Sequence, residues 1–155
     1  MSRTVHLEVD VEIRAAIERD MPALATWSGQ VEDVFRPALE ASDRVVLVAL
    51  ARGRFPIGHA LVDLHGIISH LLVLAGFRDQ GLGSALVDEA ERLIKQAGAR
   101  HSTLMVEKVN VGAIRLYERL GYRTTGESSE RWSEPMPDGT LQPVDHPSWV
   151  MRREL

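Results

Sequence analysis

The sequence of 155 residues contains no cysteine. This absence excludes disulfide bonds, thiolate metal sites and a cysteine nucleophile, and we predict no metal site. A cluster of basic residues is also missing, and the net charge is −4. Because nucleic-acid binding needs a basic surface, we expect no nucleic-acid partner.

Long hydrophobic runs are absent too. The apolar stretches fall far short of the ~20 residues that a membrane helix needs, and the N-terminal segment lacks the apolar core of a signal peptide. We therefore expect a cytoplasmic protein with no membrane partner. Apolar residues make up 45% and charged residues 26%, which is typical of a globular protein. No linker or repeat divides the chain, so residues 1–155 are predicted to form one domain.

The residue patterns predict alternating strands and helices. Strands are predicted at 11–17, 44–51, 56–64, 67–75 and 101–108, with two more from "YRTTGE" and "SWVMRREL". The three strands between 44 and 75 should form an antiparallel meander. Helices are predicted after Asp20, over 31–42, over 82–97 and over 110–122. The segment between the last two strands is either a long loop or an extended hairpin that turns at "PDG".

Helix ends are marked by residues with known capping preferences. Asp20 is predicted to cap the first helix, with Pro22 in its first turn. Asn110 should cap the last helix, while Gly98 and Gly121 should end the two long ones.

The stretch "FRDQGLGSAL" (77–86) places two glycines where a loop becomes a helix. A dinucleotide fingerprint is disfavoured, because its third glycine position is Leu86 and no acidic residue ends a following strand. A plain helix start is a second interpretation. A third is anion binding, since the first N–H groups of a helix are unsatisfied and glycine lets a phosphate approach the backbone.

A second motif favours the anion site. "LMVEKVNVGAIRLYERLGY" (104–122) has the pattern L-x-V-x-x-x-N-x-x-A-x-x-L-Y-x-x-L-G-Y. Together with R-x-x-G-x-G, from Arg78 to Gly83, it resembles the GNAT superfamily of acyl-CoA-dependent N-acyltransferases. The element order over 11–126 and the opening "VEIRAAIERDMPAL" are also similar to that family. The resemblance is weakest over 127–146.

The resemblance implies an α/β (α+β) fold: a mixed, mostly antiparallel sheet of six to seven strands flanked by about four helices, splayed between the fourth and fifth strands. It also implies acetyl-CoA as the co-substrate. The pantetheine arm would pair with the backbone of Leu71, Leu72 and Val73. The turn from Arg78 to Ser84 would hold the pyrophosphate through the N–H groups of Gln80, Gly81, Leu82, Gly83 and Ser84.

The resemblance also assigns chemical roles. An amine attacks the thioester carbonyl, and the Val73 N–H would stabilise the oxyanion. Asn110 would cap its helix near the pantetheine. Tyr117 would donate a proton to the leaving thiolate, since a phenol of pKa ~10 suits that task. Without a cysteine, direct transfer in a ternary complex is the simplest route.

Three positions depart from the family pattern. Ala75 stands where proline is frequent, Asp79 where a basic residue is frequent, and Met105 where protein N-terminal acetyltransferases often carry a catalytic glutamate. The base that deprotonates the amine is therefore open. Glu107, on the same strand face as Met105, is our first candidate. The alternatives are His70, His65, Glu32 and a chain of water molecules.

The resemblance places the acceptor site between segments 26–34 and 127–146. These segments contribute aromatic, acidic and imidazole side chains, namely Trp27, Glu32, Asp33, Trp132, Glu134, Asp138 and His146. Aromatic and acidic groups together suit a cationic amine. A tryptophan in a loop equally suits a dimer contact or the anchor of a lid, and a homodimer is a further expectation.

Three functions follow as hypotheses. The first is an N-acetyltransferase acting on the primary amine of a small molecule. The second is acetylation of a protein N-terminus or lysine, although Met105 argues against the N-terminal version. The third is a sensor or regulatory module that binds acyl-CoA without turnover.

Overall fold

The computed structural model describes residues 2–5 and 7–155, and a seven-stranded sheet forms the centre of this part of the chain. The strands are β1 Val11–Ala15, β2 Arg44–Ala51, β3 Phe55–Asp63, β4 Ile67–Val73, β5 His101–Glu107, β6 Arg123–Pro135 and β7 Leu141–Glu154. The helices are α1 Met21–Leu24, α2 Arg36–Glu40, α3 Leu82–Gln96 and α4 Val111–Arg119. Single turns of 3₁₀ or π helix lie at Glu18–Asp20, Val31–Phe35 and Ala75–Phe77.

The sheet has the order β1-β2-β3-β4-β5-β7-β6. Strands β2, β3 and β4 form the predicted antiparallel meander. Strands β4 and β5 run parallel and share one residue pair, Ile67 with Thr103, after which they separate. The predicted mixed sheet, splayed between the fourth and fifth strands, is therefore confirmed.

Strand β2 is buried on both faces, which explains its uninterrupted apolar sequence. Leu47 and Ala49 face the core under α3 and α4. Val46 and Val48 face a second core on the opposite side, together with residues of α1 and α2. Because strand side chains alternate between faces, one strand contributes to both cores. The sheet is thus the middle of three layers.

The predicted ends of α3 and α4 are confirmed, whereas the predicted cap of α1 is not. The Asn110 side chain accepts a hydrogen bond from the Ala113 N–H at 3.2 Å, so the predicted cap of α4 is confirmed. Gly98 and Gly121 follow the ends of α3 and α4 with left-handed φ values of 99° and 95°, as predicted.

The prediction that Asp20 caps the first helix is wrong. Its carboxylate instead accepts two hydrogen bonds from the Arg14 guanidinium, at 2.7 and 2.8 Å, and one from the Ile17 N–H. A guanidinium that binds both carboxylate oxygens is a stronger partner than a helix N–H. Pro22 does lie in the first turn of α1, as predicted.

The segment between the last two predicted strands forms an extended hairpin and not a long loop. Strands β6 and β7 pair continuously from Glu127 with Trp149 to Pro135 with Leu141. The turn includes the predicted "PDG", where Gly139 has a φ of 83°. The Asp138 carboxylate accepts hydrogen bonds from the backbone and hydroxyl of Thr140. Within the described part of the chain, no helix is both long and apolar enough to cross a membrane.

Candidate active site

A cavity of about 570 Å³ opens where β4 separates from β5. Its walls are backbone and side chains of β4, the turn before α3, the first turn of α3 and one face of α4. Nine of the ten residues predicted to bind the cofactor line it: Leu71, Leu72, Val73, Arg78, Gly81, Leu82, Gly83, Ser84 and Asn110. The tenth, Gln80, is exposed in the same turn and does not line the cavity.

The first turn of α3 directs backbone donors into this cavity. Gly81 precedes the helix with a left-handed φ of 82°, and no side chain caps the helix. The first intrahelical hydrogen bond runs from Ala85 to Gly81. The N–H groups of Leu82, Gly83 and Ser84 therefore have no acceptor within the helix. Together with the positive end of the helix dipole, they form a site suited to an anion.

Charged side chains contribute to the electrostatic potential in the same cavity. Arg78 and Arg119 both line it and supply positive charge, whereas Asp79 opposes them. The Arg78 Nε donates a hydrogen bond to the Val73 carbonyl at 2.9 Å, which ties the turn to the end of β4. Asp79 has a left-handed φ of 61°. Asp79 therefore lies beside the glycine turn, at the position where the family frequently has a basic residue.

A second cavity of about 200 Å³ lies between β4 and β5. It is lined by Ile68 to Leu71 of one strand and by Leu104 to Glu107 of the other. Four residues are shared by the linings of both cavities: Leu71, Asn110, Ala113 and Tyr117. The two cavities therefore meet along the face of α4 that carries Ala113 and Tyr117.

Tyr117 is the ionisable group at this junction. Its side chain is 7% exposed, and its ring packs edge-on against Tyr122. Burial raises the pKa of Tyr117 to about 12. The phenol consequently keeps its proton at neutral pH and can act as a donor to a thiolate.

Two candidate bases line the second cavity, Glu107 and His70. Burial lowers the pKa of His70, and the nearby Glu130 carboxylate partly opposes this effect. The His70 imidazole is therefore largely uncharged at neutral pH and free to accept a proton. Its Nδ1 lies 3.1 Å from the Ser69 hydroxyl.

Glu107 has a partner on the hairpin that the sequence did not reveal. The His146 Nδ1 lies 3.4 Å from the Glu107 Oε1, and its Nε2 lies 3.0 Å from the Glu134 Oε1. The imidazole stacks on Trp132, and its side chain is 11% exposed. A row of ionisable groups thus runs from the second cavity to the hairpin. Among the described residues, no group of three or more His, Asp or Glu is arranged to hold a metal ion.

The other alternative bases lie away from the cavities. His65 is exposed on the turn between β3 and β4, 3.7 Å from Asp43. The Glu32 carboxylate accepts a hydrogen bond from Arg36. Neither residue lines a cavity beside Tyr117.

Sequence reasoning also missed several lining residues of the first cavity. They are Phe77, Gly112, Ala113, Leu116 and Arg119. The helical spacing of Asn110, Ala113 and Tyr117 could have identified the inner face of α4. No comparable signal marks Arg119.

Comparison with known proteins identifies the family. A family model described as the acetyltransferase (GNAT) family matches residues 11–122. The chain therefore belongs to this family, whose co-substrate is acetyl-CoA.

Individual relatives are similar over different lengths. The chain is 39% identical over 57 residues to the N-alpha-acetyltransferase MAK3 of Arabidopsis thaliana, which covers 37% of this chain and 30% of that protein. The chain spans about half or less of the length of the curated relatives it matches.

Solved structures match nearly the whole chain. Arabidopsis thaliana NAA60 in complex with acetyl-CoA gives a TM-score of 0.74 at 19% identity, covering 94% of this chain and 99% of that one. Nourseothricin acetyltransferase gives a TM-score of 0.70 at 19% identity, covering 93% of this chain and 98% of that one. At this level of identity the likeness shows the fold.

Proposed function

We propose that the chain transfers an acetyl group from acetyl-CoA to the primary amine of a small molecule, directly within a ternary complex. The observation that carries the proposal is the junction of the two cavities at Tyr117. The larger cavity has the anion-binding turn for the pyrophosphate, and the smaller one has groups able to accept a proton. A thioester in the first would meet an amine from the second at that junction.

Each step of the transfer has a candidate group. Glu107 takes a proton from the ammonium form of the acceptor, and the free amine attacks the thioester carbonyl. The tetrahedral oxyanion accepts a hydrogen bond from the Val73 N–H. When the C–S bond breaks, Tyr117 donates its proton to the departing thiolate, and the second proton that the nitrogen loses on becoming an amide restores the phenol. His70 is the alternative base, since it lines the same cavity.

The surroundings of the second cavity favour a small cationic amine. Its volume of about 200 Å³ is below the usual range of ligand pockets. Glu107 lies in its wall, and Glu130 is close enough to His70 to affect its pKa. Trp132 is 41% exposed on the hairpin and offers an aromatic surface to a cation.

Acetylation of a protein N-terminus or lysine is the second candidate. It is favoured by the similarity to an N-alpha-acetyltransferase. Met105, which is 47% exposed and lines the second cavity, supplies no proton acceptor at the position where such enzymes often have glutamate. A homodimer and a cytoplasmic location remain predictions from the sequence.

The deciding experiment offers acetyl-CoA with three sets of acceptors: small diamines and amino sugars, peptides with free N-termini, and lysine peptides with blocked N-termini. Thiol release measures turnover, and mass spectrometry identifies the product. We expect the small cationic amines to be preferred. Preference for either peptide set would replace the first candidate by the second. Stabilisation by acetyl-CoA without turnover on any set would instead indicate a binding module.

A further inference from the structure

Strand β4 contains an extra residue opposite β3, at the place where it reaches the two cavities. Along β3 the pairing steps from His59 to Leu61, while along β4 it steps from Leu72 to Ser69. The bulge includes His70, whose φ of 51° is left-handed. A residue with a Cβ keeps this conformation only where its surroundings hold it there.

One such contact comes from His59, on the face of the sheet that carries α1 and α2. The His59 side chain is 1% exposed, and its Nδ1 lies 2.6 Å from the His70 carbonyl oxygen. A carbonyl oxygen can only accept, so Nδ1 must carry a proton. Burial lowers the pKa of His59 to about 4, so the ring is neutral at pH 7. Nε2 therefore accepts a hydrogen bond from the Ser28 hydroxyl, 3.2 Å away.

The His59 ring has little freedom to turn. Trp27 stacks on it with ring centroids 5.2 Å apart, and Phe35 packs edge-on at 4.7 Å. Trp27 is fixed in turn, because its Nε1–H donates to the Pro56 carbonyl at 3.0 Å. Trp27 and Ser28 belong to the segment predicted to form one wall of the acceptor site. The ring thus connects that segment to the bulge.

The bulge decides which groups of β4 face the cavities. Leu71, Leu72 and Val73 after it line the larger cavity, and Ser69 and His70 line the smaller one. A change of register by one residue would turn each side chain to the opposite face of the sheet. The contact of His59 with the His70 carbonyl therefore acts on both cavities.

We propose that His59 is a positioning residue for acyl transfer: its Nδ1–H holds the His70 carbonyl, and so fixes the β4 backbone against which thioester and amine align. The inference rests on the proposed function. His59 itself lines neither cavity.

Two amide substitutions separate the ring nitrogens. In His59→Asn, the amide nitrogen can take the place of Nδ1 and keep the bond to His70. In His59→Gln, the amide nitrogen reaches the place of Nε2 and Ser28 instead. Both variants lose the stacked ring, so a purely structural role predicts that they lose stability and activity together. His101→Gln, at the start of β5, is the control for replacing a histidine.

We expect His59→Gln to lower kcat about 10²-fold, the scale of a misplaced reactive geometry. The kcat of His59→Asn should stay within about 10-fold of the wild-type value by the same reasoning. Its melting temperature should nevertheless fall at least as far as that of His59→Gln. Equal losses of kcat in the two variants, or losses that follow the melting temperature, would overturn the inference.

Two measurements remain informative without turnover. In the wild-type protein, ¹⁵N shifts of the His59 ring identify the protonated nitrogen, and a proton on Nε2 would overturn the inference. The amide-to-α-proton coupling of His70 reports its left-handed φ, which His59→Asn should keep and His59→Gln should lose. If the wild type acetylates no amine, the proposed function fails, while these spectra and the acetyl-CoA affinities of both variants still decide the role of His59.

Discussion

The two cavities that meet at Tyr117 are constructed in different ways. In the larger one the proposed anion site consists of backbone groups: a left-handed glycine and the N–H groups at the start of α3, which have no acceptor within the helix. The smaller one is defined by side chains, with His70 and Glu107 in its wall and His146 behind Glu107.

This difference shows how each site is encoded. Backbone donors at a helix start are specified by a few adjacent residues, so the cofactor side leaves a local signal at 78–83, which the second motif over 104–122 made specific. The acceptor side depends on side chains from several segments that are distant in sequence, and a change in any of them alters its charge. We therefore expect the cofactor side to tolerate changes outside its motif, while the acceptor side carries specificity.

The largest expected effect is at the junction, with Tyr117→Phe. Because the phenol is the proton donor in our proposal, kcat should fall about 10²- to 10³-fold. The Kd of acetyl-CoA, measured by calorimetry, should stay unchanged, because the ring that lines both cavities is kept. The raised pKa of about 12 implies that Tyr117 causes no loss of rate on the alkaline side until well above pH 10. A variant with wild-type kcat would remove Tyr117 from the mechanism.

The next effect concerns stability on the acceptor side. The pKa of His59 is about 4 in the fold, against 6.5 for an unperturbed histidine, so the unfolded chain binds the proton more readily. The stabilisation of the fold that this difference provides is complete above pH 6.5 and is lost as the pH falls through 4, by about 3.5 kcal/mol at ~1.4 kcal/mol per pKa unit. Urea unfolding across this range measures it.

His59→Asn isolates this contribution, since other groups also titrate in acid. The lowered pKa of Asp20, caused mainly by its hydrogen bond to Arg14, adds a loss of stability below the usual carboxyl range. The difference in unfolding free energy between wild type and variant should shrink from pH 7 to pH 4. A constant difference would show that His59 is not buried in its neutral form.

Glu107→Gln tests whether the chemistry of the smaller cavity depends on the side chains in its wall. Removing the proposed base should lower kcat/KM about 10²-fold at neutral pH, with acetyl-CoA affinity unchanged. His70→Gln is the matched comparison, because both residues line the same cavity. If His70→Gln loses the activity and Glu107→Gln retains it, the base is the imidazole.

The sequence predicted the fold more fully than the acceptor side. Apolar periodicity located every strand of the meander, and the caps at Asn110 and Gly98 depend on neighbours within a few residues. The Asp20 prediction failed because Arg14, six residues earlier, competes for its carboxylate. Such competition depends on how the chain folds back on itself.

The polar contacts of the acceptor side had no local signal. His59 lies in "PIGHALVDL", where a single polar residue in a strand has no evident partner. Its partners Ser28 and His70 are brought to it by the loop after α1 and by the bulge of β4. His146 likewise meets Glu107 only because β5 pairs with β7. To predict a site whose side chains come from separate strands, the register of strand pairing must be known to a single residue. The residue pattern does not specify the register that closely.

The smallest expected effect tests the backbone nature of the larger cavity through Gly83→Val. The new side chain would stand beside the free N–H groups of α3, so the Kd of acetyl-CoA should rise about 10-fold, or ~1.4 kcal/mol. A Cβ at Gly83 would also lie 3.3 Å from the Leu116 Cδ2, so stability should fall by about 1 kcal/mol. Gly76→Val is the control, because a Cβ there meets no atom within 4 Å. Calorimetry with urea unfolding separates the two effects. An unchanged Kd in Gly83→Val would contradict the placement of the phosphates at this turn, and an equal rise of Kd in Gly76→Val would show that the effect is not specific to position 83.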